Sequence, residues 1–185
     1  MFKQTLFAAL VLSSPAAALE ICDDLWFTRN LVFDRAGYCF GSVLGEAVFG
    51  NEGCVEGALE LDDKSAKLVA NLRKMEVAWE CRVDTSQDFL AVPVIEQRKA
   101  LIDLPVPTGG ESGCLGWLGE NVVLRSERKE TGAVVGAVRL ADTLLLQFED
   151  VDGWTFIEVL QNDIPAGQGW AKLEISNKTC AGLAG

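Results

Sequence analysis

Hydrophobic positions change their period near the middle of the chain. From Cys22 onward, Leu25, Trp26, Val32 and Phe33 recur at helical spacing, behind Asp23 and Asp24 where an N-cap and first-turn acids belong. Gly37 supplies the left-handed residue that commonly closes a helix, so Cys39 falls in the turn beyond it. A short apolar segment, 43–49, leads to Asn51-Glu52-Gly53-Cys54, a turn by composition. The next element opens on Asp62 and Asp63 and carries Leu61, Leu68, Leu72, Met75 and Trp79 as one apolar stripe. Arg73 and Lys74 lie toward its end, where cations complement the dipole. It reads as a helix of about four turns closing at Cys81, with Trp26 and Trp79 as core residues.

Between 83 and 111 the pattern weakens. Pro93, Pro105, Pro107 and the pair Gly109-Gly110 give linker composition, with room for one short helix over 95–102. After Cys114 the period shortens. Runs at 121–125, 133–138, 143–148, 154–160 and 169–173 are β-prone, and Asp152-Gly153 between two of them is a hairpin dipeptide. Short strands with turns about every ten residues predict a small all-β barrel or sandwich. The expected fold is therefore α+β in two modules, a helical domain over 19–82 and an all-β domain over 112–180, with a linker at 83–111 and a tail at 181–185.

The start of the chain places this organisation in a compartment. Lys3, an apolar run from Leu6 to Leu12 and three alanines ending at Ala18 predict a signal peptide over 1–18. The run is too short to span hydrocarbon. Glu20 and Ile21 before Cys22 do not fit a lipid anchor. A periplasmic or secreted protein, with no membrane insertion after signal cleavage, is the expectation. A net charge of −11 repels phosphate backbones and anionic headgroups, which argues against nucleic acid as a partner.

Six cysteines in a chain addressed to an oxidising compartment predict disulfides. The domain boundary divides them four and two, so every bridge can stay within a module: Cys39 with Cys54, Cys22 with Cys81, and Cys114 with Cys180. Four cysteines in the first module allow three pairings. No pair has Cys-x-x-Cys spacing and the chain contains no His, which removes most catalytic templates and leaves zinc without a ligand set. Asp150-Val151-Asp152-Gly153 looks like a calcium-loop fragment, but the later acids are missing and a hairpin accounts for it. Asp23 and Asp24 could in principle serve glycosidic chemistry, yet helix N-termini attract acids for dipole reasons alone. No catalytic residue, metal or cofactor is expected.

Two stretches carry family resemblances. The run from Leu25 to Phe40 resembles the YARHG domain, a small bacterial extracellular module. Arg29, Asn30, Arg35, Gly37, Tyr38 and Phe40 match its signature, while Phe33, Asp34 and Ala36 replace the family's Tyr, Ala and His. The acid-led helix from Asp62 resembles that module's closing helix. Further on, the series Asn121-Val122-Val123-Leu124-Arg125-Ser126, then Val134-Val135-Gly136, Gly153-Trp154 and Gly169-Trp170-Ala171 resembles, in order, the bacterial SH3-like domain. There, Glu127-Arg128 replaces the usual Gly-Pro, and 161–168 reads as a lengthened turn.

These resemblances imply a disulfide-stapled helical module followed by an SH3-like barrel. The barrel's expected target is peptidoglycan or an envelope peptide, with Trp117, Trp154 and Trp170 as candidates for an aromatic groove and core packing as the competing reading. Arg29 and Arg35 are expected to pair with local acids, or to receive a ligand carboxylate. The alternative function is an accessory or inhibitory subunit that docks an envelope protein. A carboxylate-based hydrolase is the third.

Overall fold

The structure, a computed structural model, describes residues 15–57 and 59–185, with side chains from Ile21 onward. The expected leader lies outside the described residues apart from the backbone of 15–18, which opens the first helix. That helix, α1, spans Pro15–Arg35. Asp23 and Asp24 therefore lie inside it rather than at its cap. Their carboxylates serve tertiary contacts: Asp23 accepts the Ala91 backbone N–H at 3.0 Å and Asp24 accepts from Arg98 at 2.6 Å.

The other end of α1 follows its local sequence. The Tyr38 N–H reaches back to the Phe33 carbonyl at 3.0 Å and the Gly37 N–H to that of Asp34 at 2.8 Å. This is the Schellman pattern, and Gly37 holds the left-handed position at φ +86°. The chain then turns into the Cys39–Cys54 bridge. Inside that loop the segment expected only to be apolar is a helix, α2 (Val43–Phe49), whose N-cap Ser42 accepts the Gly45 N–H at 3.1 Å. Helix α3 (Asp63–Ala78) is capped by Asp62, which accepts the Ser65 N–H at 2.9 Å. Leu72 of α3 packs on Ile21 and Leu25 of α1, and Cys22–Cys81 staples the pair. Trp79, expected in the core, is 41 % exposed, because as the C-cap residue of α3 it turns its ring onto Gly109 rather than onto α1.

Residues 83–111 are packed rather than linker-like. Leu90 and Val92 join Trp26, Phe27 and Leu44 in one core cluster. Leu101 joins Phe148, Trp154, Phe156 and Trp170 in another. Between them lies a short helix, α4 (Ile95–Ala100). The prolines that suggested a linker serve as edges, with Pro107 forming an isolated antiparallel bridge to Phe148.

Seven strands follow: β1 (Gly113–Trp117), β2 (Val122–Arg125), β3 (Val134–Val138), β4 (Thr143–Leu145), β5 (Thr155–Gln161), β6 (Ile164–Ala171) and β7 (Cys180–Ala184). They form one antiparallel sheet in the order β3-β2-β6-β5-β4-β1-β7. With β3 and β7 at its two edges the sheet is open, so the expected closed barrel is not formed. Residues 161–168, read as a lengthened turn, belong to the β5–β6 hairpin, which turns at Asn162-Asp163 with φ of +52° and +63°. Two central residues at positive φ fit the tight turn whose twist matches antiparallel strands. The expected tail is mostly β7, bound to β1 by the ladder and by Cys114–Cys180. Gly- and Ala-rich, β1 and β7 carry little β-propensity, which hides both in the sequence.

The central strands are buried on both faces. On β5, Ile157 and Val159 point into the core with Trp117, Leu124 and Leu144, while Phe156 faces the aromatic cluster beneath α4. Glu158 shares the side of Phe156 by the alternation of the strand. It stands opposite Gln168 of β6, as Phe156 stands opposite Trp170. A pair of polar residues in register is thus aimed at α4.

Candidate functional site

Arg98 of α4 meets that pair. Its side chain is 1 % exposed, with one nitrogen 3.4 Å from both Glu158 and Gln168, and the other 2.6 Å from Asp24 and 3.5 Å from the Thr28 hydroxyl. Phe148, Phe156 and Phe27 present their rings to the guanidinium at 4.9, 5.4 and 6.0 Å. Burial pushes the Asp24 carboxyl above its usual range and Arg98 pulls it back in part. Gln168 also donates to the carbonyls of Pro93 and Val94, which anchors the start of α4. A closed, hydrogen-bonded cluster of this kind orders a junction. It gives no approach to a substrate.

The signature residues of the helical part divide by task. Asn30 donates to the Trp26 carbonyl at 2.8 Å inside α1. Arg35 reaches across to the end of α4, donating to the carbonyls of Lys99 at 3.2 Å, Leu101, and Ile102 at 3.5 Å. Those are the orphan acceptors of a helix C-terminus, and a guanidinium suits them in both geometry and charge. Burial lowers the Arg35 pKa, with Asp34 acting against it. Tyr38 is half-exposed, its ring 6.0 Å from Phe33 and 5.0 Å from Phe40. Arg29 crosses to α3, its Nε 2.9 and 3.0 Å from the two oxygens of Glu76. Arg29 thus pairs with an acid, but one 47 residues along the chain rather than a local one, and Arg35 takes backbone carbonyls instead.

Glu76 opens the accessible site. An open groove of about 580 Å³ lies at the C-terminal end of α3, lined by Arg73, Glu76, Val77, Glu80, Cys81 and Arg82. Arg73 stands over the Phe33 ring of α1 at 5.8 Å. Val77 is 79 % exposed, and Trp79 follows it on the same turn. The Trp79 ring lies so close to Gly109 that a Cβ there would fall 2.0 Å from Cζ2. Gly109 is needed for that approach and for its own φ of +73°. Glu80 holds the left-handed position after the helix at φ +51°, where glycine is the usual occupant. Sequence reasoning missed this groove because its residues come from one helix end and its neighbours. The visible signal was the charge-rich end of α3 beside a Trp.

The three tryptophans expected to form a groove do not share a surface. Trp117 (3 % exposed) lies in the core between β1 and the central strands, its indole N–H on the Glu120 carbonyl at 2.8 Å. Trp154 (6 %) and Trp170 (1 %) pack with Phe148 and Phe156 on the opposite face, and Trp170 donates to the Asp103 carbonyl at 2.8 Å. Their large apolar rings are worth more under the sheet than on it. Asp152-Gly153 forms the hairpin turn expected of it, bridging Val151 to Trp154. Among the described residues no three His, Cys, Asp or Glu side chains gather as metal ligands, and no helix is long and apolar enough to cross a membrane.

Comparison with known families divides the chain near the end of α3. Residues 5–77 match the YARHG domain, and residues 80–185 match a domain of unknown function, DUF4453. No curated protein and no solved structure matches the chain. Cys22–Cys81, Asp24–Arg98 and Arg35 on the end of α4 each join the first stretch to the second. Carrying a YARHG domain ahead of it, the chain belongs to the family described as a domain of unknown function (DUF4453).

Proposed function

We propose that this is an exported, non-enzymatic protein that binds cell-envelope material, either peptidoglycan or an envelope peptide. The observation that carries the reading is the open groove at the end of α3, where two arginines and the exposed Val77 line a disulfide-stapled support. Three disulfides and a YARHG domain favour an extracellular or periplasmic setting. The ordered SH3-like series from Asn121 to Ala171 supports kinship between the sheet and wall-binding SH3-like domains, and the sheet then acts as a second contact surface. Val134 on edge strand β3 and Ile164 at the start of β6 are among its exposed apolar positions, with Leu115, Val123 and Leu183.

A second reading, an accessory or inhibitory subunit docking another envelope protein, draws on the same groove. Hydrolysis by carboxylates has less support, since Asp24 and Glu158 face a buried arginine. Co-sedimentation of the purified protein with protein-free peptidoglycan sacculi separates the three. Pelleting supports direct wall binding. Pelleting only with sacculi that retain their proteins moves the function to a protein partner, and release of soluble muropeptides would restore the hydrolase.

A further inference from the structure

The chain has eight arginines, and protein oxygens engage the guanidinium groups of five: Arg29, Arg35, Arg98, Arg125 and Arg128. The other three, Arg73, Arg82 and Arg139, make no hydrogen bond or ion pair through their side chains among the described residues. Two of those three line the same groove. In a protein of net charge −11, with acidic side chains to spare, two arginines without carboxylate partners lining one groove is a departure from the rest of the molecule. Glu76 does not neutralise them, because Arg29 holds both of its oxygens.

The helix end does not oppose an anion as strongly as its polarity suggests. The carbonyls of Met75, Glu76 and Val77 already accept the N–H groups of Trp79, Cys81 and Glu80, at 2.9, 2.9 and 3.1 Å. Arg73 is steadied by the Phe33 ring, and the exposed Val77 adds an apolar flank. Glu80, kept in a left-handed position that a non-glycine residue rarely adopts, places one negative charge at the rim. That charge disfavours a doubly charged phosphate more than a single carboxylate.

We infer that the groove lined by Arg73 and Arg82 receives a carboxylate borne on a small apolar group, such as the free C-terminus of a short peptide, with Val77 covering the apolar part. The inference rests on reading this groove as the binding face. It adds the ligand's chemistry, carboxylate recognition by two guanidinium groups with apolar contact alongside.

The test uses the full protein labelled with ¹⁵N and N-acetyl-dialanine as probe, beside its C-terminal amide and inorganic phosphate. Arg73→Gln and Arg82→Gln identify the side-chain Nε–H resonances of the two arginines. The free carboxylate is expected to shift those resonances in a saturable way, the amide and phosphate to leave them unmoved, and Arg82→Gln to weaken the interaction read at Arg73 about tenfold, the value of one charge-assisted hydrogen bond. Arg82 is exposed, so its substitution leaves the fold intact, and Arg73→Gln serves as the second variant. Equal shifts by amide and carboxylate, stronger binding of phosphate, or indifference to both arginine substitutions would overturn the assignment. Sacculus sedimentation of Arg82→Gln separates the two levels. Pelleting equal to that of the unsubstituted protein, with no carboxylate effect, removes the groove and leaves envelope binding standing.

Discussion

Arg98 shows what a single residue contributes here. Removing its side chain takes from Asp24 the ion-pair partner it has at 2.6 Å, in an interior where an uncompensated charge is expensive. Arg98→Met is expected to destabilise the protein by about 3–5 kcal/mol, read as a shift in the urea unfolding midpoint. Arg98→Lys should recover little of this, because one ammonium cannot reach Asp24, Glu158 and Gln168 as a planar fork does. Asp103 is the residue whose titration matters most in acid. Burial acts to raise its pKa, but hydrogen bonds from the Arg128 backbone and side chain and from Lys64, with the Arg128 charge, bring it to about 2 from an ordinary 3.8. A depressed carboxyl stabilises the fold above its unfolded value and loses that contribution as pH falls through its folded one. The stability gap between the unsubstituted protein and Asp103→Asn should therefore close as pH is lowered from 3.8 toward about 2, measured by denaturation across that range. Asp23, Asp24 and Asp34, all raised chiefly by burial, run the other way, contributing most below their ordinary value and less as pH rises through the raised one.

At the scale of elements, the ends are better specified than the middles. Gly37 terminates α1 and Asp62 starts α3 through hydrogen bonds to groups within five residues, so both ends were legible from residue type and spacing. The Cys39–Cys54 bridge closes a loop with a sequence separation of 15, and its double Ser variant is expected to lose about 3 kcal/mol of stability, checked by chemical denaturation. Helix α4 is the opposite case. It has six residues, no side-chain cap bond, and an N-cap Val94 at φ +43°. Such a helix is not stable alone. It forms because Arg35 takes its last carbonyls and Gln168 holds the carbonyls of Pro93 and Val94. The start of α1 was misread for a related reason. Asp23 and Asp24 look like a cap in sequence, and only the partners Ala91 and Arg98, far along the chain, show what they do.

As a whole molecule, the two family-matched stretches behave as one body. The disulfide Cys22–Cys81, the pair Asp24–Arg98 and the Arg35 contacts cross between them, and the segment 83–111 is shared core rather than tether. Unfolding of the intact protein is expected to be a single transition, with tryptophan fluorescence and far-ultraviolet circular dichroism giving coincident curves. A chain beginning at Gly110 would lose Arg98, which faces Glu158 and Gln168, and the Asp103 carbonyl that receives the buried Trp170 N–H. It should fail to give a cooperative transition. Two separate transitions in the intact protein, or a stable sheet from Gly110 onward, would show the parts to be independent. Sequence alone determined the order of helices before strands, the C-terminal end of α1, the start of α3, the pairing of Cys114 with Cys180 and the Asp152-Gly153 turn. Each of these follows from a residue's own conformational range, from contacts a few positions away, or from counting cysteines on either side of a boundary. Tertiary structure alone decided that the sheet stays open, that Trp117, Trp154 and Trp170 go inside while Trp79 stays out, and that an accessible groove forms beside α3. Periodicity tells which face of an element is apolar, but not which element covers it. Arg98 meets Asp24 and Glu158 across 74 and 60 residues of chain, and no local rule reaches that far.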